Sequence, residues 1–222
     1  QERKEVGFIA ISAGEGLSQI FKNLGVDEII EGGQTMNPST EDILNAIEKV
    51  NADAIFLLPN NKNIILAAEQ AAKLTEDKKI LVVPSRSVPE GIHAIFQYEE
   101  GIPHETMLET MIESLKEVKT PSVTYAVRDT SLDGKEIKEG DILGMVGDNI
   151  AVVSQSVEEG TRALIDQIVS DDSEMISLYF GADVTQEQAD EMLSYVTEQY
   201  PDCEAEIQWG KQPLYYYIIS VE

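Results

Sequence analysis

Residues 52–59 read ADAIFLLP and residues 78–85 read KKILVVPS. Both runs are apolar at consecutive positions, as expected of strands covered on both faces, and both end at a proline. Working outward, VGFIAIS at 6–12 and DEIIEG at 27–32 supply two further strand candidates. Helical patterns separate them, at about 17–24, 40–50 and 61–74, with more helix between 88 and 117. Pro38, Ser39 and Thr40 stand where a hydroxyl can accept an amide of a helix's first turn. Strand and helix alternating in this way imply right-handed crossovers and a parallel, doubly wound α/β sheet.

Past Thr120 and Pro121 the pattern changes. SVTYAVRD and ILGMVGDNIAVVS read as strands joined through SLDGKEIKEGD, where Asp133 and Gly134 suit a tight turn. Helices near 157–169 and 186–200 alternate with the strands MISLYFG, EAEIQWG and LYYYIISV. The order β-β-α-β-α-β-β predicts a small sheet with its helices on one face. The expected organisation is therefore an α/β parallel-sheet domain over 1–120 and a smaller α+β domain over 121–222.

The charge agrees with two domains of different character. The chain of 222 residues carries 41 Asp and Glu against 16 Lys and Arg, a net charge of −25. Residues 1–120 hold 20 acidic and 11 basic side chains, residues 121–222 hold 21 and 5, so the second half is the more acidic. Such a surface gives nucleic-acid phosphates and anionic membranes nothing to bind. One cysteine, Cys203, and two histidines, His93 and His104, exclude a disulfide framework and a Cys/His zinc site. The reducing cytoplasm is the expected location. No apolar run approaches the roughly 20 residues of a membrane span. The start, QERKEVGFIAIS, lacks a signal-peptide core and an initiator Met, which reads as an excised domain or a processed chain.

Several motifs invite a chemical reading. SAGEGLSQ at 12–19 leaves a strand and opens a helix, as a dinucleotide loop would, but Gln19 stands in place of the third glycine. Glu15 would set a carboxylate beside any phosphate brought there. DTSLDGKEIKEG at 129–140 begins like a calcium loop, yet Gly140 occupies the position of the bidentate Glu, and a β-turn is the simpler reading. Cys203 has no histidine near it in sequence and no G-x-S-x-G elbow occurs, so nucleophilic catalysis has little material. His93 and His104 read as packing and helix-start residues, and no catalytic residue or metal ligand is assigned. Trp209 and Tyr215 to Tyr217 either line a sheet face or anchor a partner.

The remaining polar clusters fall at the C-terminal ends of the first-half strands, where open α/β sheets bind ligands. Thr35, Asn37, Asn60, Asn61, Asn63 and Ser85 offer amides and hydroxyls, and Arg86 a fork for carboxylate or phosphate. The same residues would serve equally well as helix caps and turn closures, and both readings stand open.

These loops resemble those of the DegV-like fatty-acid-binding proteins, two-domain proteins that hold a fatty acid with its carboxylate between the domains. TMNPS at 35–39 resembles their T-S-Q-P-S motif, and PSRSVPEG at 84–91 their D-S-(K/R)-S-x-x-x-G segment. LLPNNKNIILAAEQAA at 57–72 stands in place of S-S-G-L-S-G-T-Y-Q-S-A. The hydroxyls expected there are replaced by Asn and Lys, and the acid before the third motif by Pro84. Over essentially the whole chain, ISAGEGLSQIFKNLGVD, EGGQTMNPSTEDI, LLPNNKNI and VVPSRSVPEGI are similar to the DegV-like C-terminal domain of the dihydroxyacetone-kinase-like fatty acid kinases of the FakA, or YloV, type.

That resemblance implies a division of labour. A separate N-terminal kinase domain would bind ATP and magnesium, a linker domain would follow, and this chain would be non-catalytic and hold no cofactor. It would recruit the fatty-acid-loaded FakB partner, whose acyl phosphate product enters phospholipid synthesis. The alternative expectation is a DegV-like module that itself binds a fatty acid or small carboxylate between its two domains.

Overall fold

The computed structural model describes residues 2–33, 36–132 and 134–222. The chain divides into two compact units, Gln1–Val118 and Lys119–Glu222. In the first, the elements run β1 (Lys4–Ser12), α1 (Glu15–Asn23), β2 (Glu28–Glu31), α2 (Thr40–Lys49), β3 (Ala52–Leu58), α3 (Lys62–Leu74), β4 (Lys79–Val82), α4 (Val88–Phe96) and α5 (His104–Ser114). The four strands form a parallel sheet in the order β2-β1-β3-β4.

Two-residue alternation explains why the strands read as continuous apolar runs. Ile9, Ile11, Ile55 and Leu57 share a core with Ile43, Ala46 and Ile47 of α2 and Ile64, Ala68 and Ala71 of α3. The residues between them, Phe8, Ala10, Phe56 and Leu58, belong to the opposite face of the pleat. There Phe8 stacks on Phe56 with centroids 5.6 Å apart, and Tyr98 sets its edge against both rings. Both faces are thus covered, and Ala54 to Leu58 are all at most 1% exposed. The edge strand β2 is short and reads EIIE, with Glu28 reaching Lys49 at 3.7 Å.

The second unit comprises β5 (Ser122–Tyr125), β6 (Thr130–Leu132), β7 (Lys135–Ile137), β8 (Ile142–Val146), β9 (Asn149–Ser154), α6 (Val157–Ile168), β10 (Met175–Phe180), α7 (Gln186–Gln199), β11 (Glu204–Trp209) and β12 (Tyr217–Val221). Six strands pair in the order β11-β10-β12-β5-β8-β9, parallel only between β10 and β11. Leu164 and Ile165 of α6 and Ala189, Met192 and Val196 of α7 share one core with Val123, Ile176, Leu178 and Ile219, so both helices lie on the same face. A smaller cluster packs Ile137 of the β6–β7 hairpin with Ala126 and Leu143.

Two details depart from the sequence reading. ILGMVGDNIAVVS is not one strand: it folds back at Gly147 (φ 60°) into the antiparallel pair β8 and β9, because only a residue tolerant of positive φ turns the chain so tightly. LYYYIISV begins its strand only at Tyr217, since Leu214 takes φ 68° and Tyr216 lies outside the ladder. The segment read as a connection contains the separate β6–β7 pair.

Helix starts are closed by side chains. Ser39 caps α2 and Thr185 caps α7, each in a reciprocal capping box, with Asp42 and Gln188 returning a bond to the cap amide. Thr185→Ala is expected to cost about 1 kcal/mol of stability, read from the urea midpoint, whereas Thr185→Ser should cost a fraction of that.

Two carboxyls are held below their ordinary value. The Ser39 backbone N–H lowers Asp42, and the Lys138 backbone N–H, followed by the Gln155 amide, lowers Asp141. A depressed folded-state value means that this stabilisation is complete above about pH 4 and disappears as pH falls through the lower folded value. The double change Asp42→Asn, Asp141→Asn should therefore flatten the acid limb of melting temperature against pH; an unchanged limb would contradict the assignment.

Candidate functional site

The chain leaves β1 toward β2 and later returns to β3 on its other side, so the C-terminal ends of β1 and β3 flank the point where an open sheet usually leaves a ligand crevice. Here that point is bridged by the chain itself. Asn60, directly after β3, takes the left-handed conformation (φ 57°), and its backbone N–H donates to Ser85 Oγ at 3.0 Å. Its Nδ2 donates to the Ile11 carbonyl of β1 at 2.9 Å, and Ser85 Oγ–H donates to Asn60 Oδ1 at 2.7 Å. One side chain thereby ties together the ends of β1, β3 and the segment after β4. Asn60 is 8% exposed and Ser85 fully buried, so each bond is made where water does not compete.

Gly91 in α4 makes room for this arrangement: a Cβ there would lie 2.1 Å from Asn60 Oδ1. The sequence placed Gly91 inside a motif but gave no sign of its partner, which stands 31 residues earlier in the chain.

The other candidate residues are arranged differently. Asn61 caps α3 and accepts the Asn63 N–H at 2.9 Å, while Asn63 itself is exposed in the first turn. Arg86 is exposed, its backbone N–H donating to Glu90 Oε1 at 3.4 Å, and Ser87 caps α4. Burial holds the Glu90 carboxyl above its ordinary value. Asn37 is exposed just before α2. Thr35 lies outside the described residues. The structure thus brings Asn60 and Ser85 into direct contact, and leaves Asn37, Asn63 and Arg86 as an outward polar set.

At the other motifs, α1 starts at Gly14 without a side-chain cap, and the buried Ser12 Oγ and Ser18 Oγ have no hydrogen-bond partner among the described residues. In the calcium-like segment Asp129 Oδ1 accepts the Glu139 N–H at 2.8 Å beside the hairpin, and Asp133 lies outside the described residues. Cys203 Sγ sits 3.2 Å from the Ser173 carbonyl, and burial together with Asp202 pushes the thiol up, which opposes a thiolate. His93 Nε2 lies 2.8 Å from Glu117, and His104 Nε2 3.5 Å from Glu5. Trp209 stacks on Phe180 (6.0 Å, 1° between planes) with Lys211 Nζ 4.3 Å from its centroid, and remains 53% exposed. No helix among the described residues is long and apolar enough to cross a membrane.

A parallel α/β unit followed by a six-stranded mixed sheet places the protein among the DegV-fold proteins. A DegV lipid binding protein from Thermotoga maritima superposes with a TM-score of 0.71 at 13% identity, covering 98% of each chain. The fatty acid kinase B3 protein of Streptococcus pneumoniae, solved loaded with linoleic acid, gives 0.63 at 14% identity, covering 98% of this chain and 99% of that one. Dihydroxyacetone kinase from C. freundii gives 0.65 at 15% identity over 98% of this chain and 48% of its own.

Sequence carries the assignment further, because residues 7–222 match the FakA-like C-terminal family of fatty acid kinases, and the chain belongs to that family. It is 40% identical to protein YloV of Bacillus subtilis (strain 168) over 99% of its length, and 46% identical to a Staphylococcus aureus (strain MRSA252) protein over 100%. It spans about 40% of the length of these curated relatives.

Proposed function

We propose that the chain is a docking domain without phosphoryl-transfer chemistry of its own, which brings a FakB-type fatty-acid carrier to a kinase domain. The observation that carries this reading is the Asn60–Ser85 bridge: the polar atoms best placed to grip a carboxylate are spent on holding strand ends together. ATP and magnesium would bind on that kinase domain, in the cytoplasm, and the acyl phosphate formed there would feed phospholipid synthesis. Phosphoryl transfer needs cationic groups and phosphate-cradling amides around the nucleotide. The strand-to-helix turn of this chain instead places Glu15 in the first turn of α1.

The net charge of −25 would speed encounter with a carrier that presents a basic patch and repel free fatty acid anions. Stopped-flow association with the loaded carrier is expected to slow by about tenfold as salt rises from low to physiological strength. A salt-independent on-rate would reject the steering. Direct lipid binding is the competing reading, favoured by the lipid-binding proteins that share the fold. Mass spectrometry of extracts from the purified chain separates the two, with a stoichiometric fatty acid overturning the docking-only reading.

A further inference from the structure

In the second unit the first turn of α6, the turns on either side of the α7 start and the start of β12 enclose a cavity of about 100 Å³. Its walls are apolar and aromatic, formed by Val157, Val184, Met192, Tyr216 and Tyr217. Three carboxylates, Glu158, Asp183 and Glu191, stand around it with Gln188.

The three acids are not equivalent. Glu158 is already paired with Arg162 Nη2 at 2.6 Å. Asp183 and Glu191 are exposed and make no ion pair or side-chain hydrogen bond among the described residues. The helix starts beside the cavity are satisfied, since Ser156 Oγ accepts the Glu159 N–H and Thr185 Oγ1 the Gln188 N–H, so they do not call for an anion. The carboxylate field reaches the walls: burial and then Asp183 raise the Tyr216 phenol, and burial and then Glu158 push Tyr217 up to about 12.

We propose that this cavity is a docking socket for an arginine side chain presented by a protein partner. An apolar wall matches the aliphatic stem of arginine. The Tyr216 ring suits the face of a guanidinium, and two separate carboxylates suit its several N–H donors. Lysine, a strongly hydrated point charge, would use only part of this set. A bare metal ion is a poor occupant, because no group of three acidic, His or Cys side chains among the described residues converges well enough to hold one. A second copy of the chain is opposed by its own net charge of −25. The proposal rests on the docking reading only for the identity of the partner.

Two measurements separate the socket from that reading. Nα-acetyl-arginine methylamide titrated into the 222-residue chain should shift the Met192 methyl resonance saturably, whereas its neutral citrulline analogue should not. The shift should vanish in the Asp183→Asn, Glu191→Gln variant, whose changes are exposed and leave the far-UV spectrum intact. Affinity for the FakB-type carrier should fall about tenfold in the same variant. It should stay unchanged in Asp171→Asn, Asp172→Asn, which removes equal charge outside the cavity. Equal carrier binding by wild type and the Asp183/Glu191 variant, or an equal response to the citrulline compound, overturns the socket and leaves the docking reading standing. No carrier binding by the wild type overturns the docking reading, and the Met192 titration then decides the socket by itself.

Discussion

Gly181→Ala is expected to cost about 3 kcal/mol of stability, among the larger penalties a single methyl can impose on a packed site. A Cβ at Gly181 would lie 2.2 Å from the Tyr215 carbonyl oxygen and 2.8 Å from that of Gln212. Both obstacles are backbone, so no side-chain rotation relieves them. The segment that carries them is itself pinned. Gly181 N–H donates to the Tyr216 carbonyl at 2.9 Å and Ala182 N–H to that of Gln212 at 3.0 Å. The Gln212 side chain, 1% exposed, donates to the Tyr179 and Tyr215 carbonyls at 2.9 and 3.3 Å. Making space for a methyl therefore means giving up hydrogen bonds that are buried, each costly to leave unmade. Trp209, the sole tryptophan, sits at the end of the neighbouring strand and reports the transition by fluorescence in urea. A midpoint within experimental error of wild type would show that the segment over Gly181 yields freely.

A second large effect is expected at Gly91, of about 2 to 3 kcal/mol for Gly91→Ala. Here the obstacle is a side chain, Asn60 Oδ1, and that difference makes a sharper test possible. Moving the amide away would break its bonds to Ile11 and Ser85 and strand buried polar atoms. Asn60→Gly removes the amide while still allowing the positive φ, so it should itself destabilise by about 2 kcal/mol. Once the amide is gone, adding Gly91→Ala should cost little. The double-mutant cycle should thus show a coupling of about 2 kcal/mol, the second change being far cheaper in the Asn60→Gly background. Strict additivity would mean that the two residues do not meet as described.

The comparison with the sequence is instructive because local and long-range features separate cleanly. ADAIFLLP and KKILVVPS are readable as buried parallel strands, since burial on both faces leaves no polar position in the run. Ser39 announces its cap because the partner stands three residues away. Asn60 does not announce its role: its bonds go to Ser85, 25 positions on, and to Ile11, 49 positions back, separations at which a residue pattern carries no signal. The same holds for Gly181, whose need for a bare Cα is set by a segment some thirty residues later. The β8–β9 reversal is a different kind of miss. Gly147 and Asp148 are turn residues in plain view, but the apolar runs on either side read as one strand when turn chemistry is given too little weight. Of the candidate site, the segments at the strand ends were legible, whereas the division between inward-bonded Asn60 and Ser85 and outward Asn37, Asn63 and Arg86 required coordinates.

The outermost strands of the two sheets carry a further consequence. β2 is EIIE, two isoleucines bracketed by glutamates, and β11, EAEIQW, opens with two more. An open ladder is a template for recruiting strands from other molecules, and these carboxylates act as gatekeepers on it. Two copies approaching rim to rim would have to stack like charges along the fibril axis, so the acids that colour the whole surface also insulate the protein against amyloid-like growth at the concentrations of a crowded cell.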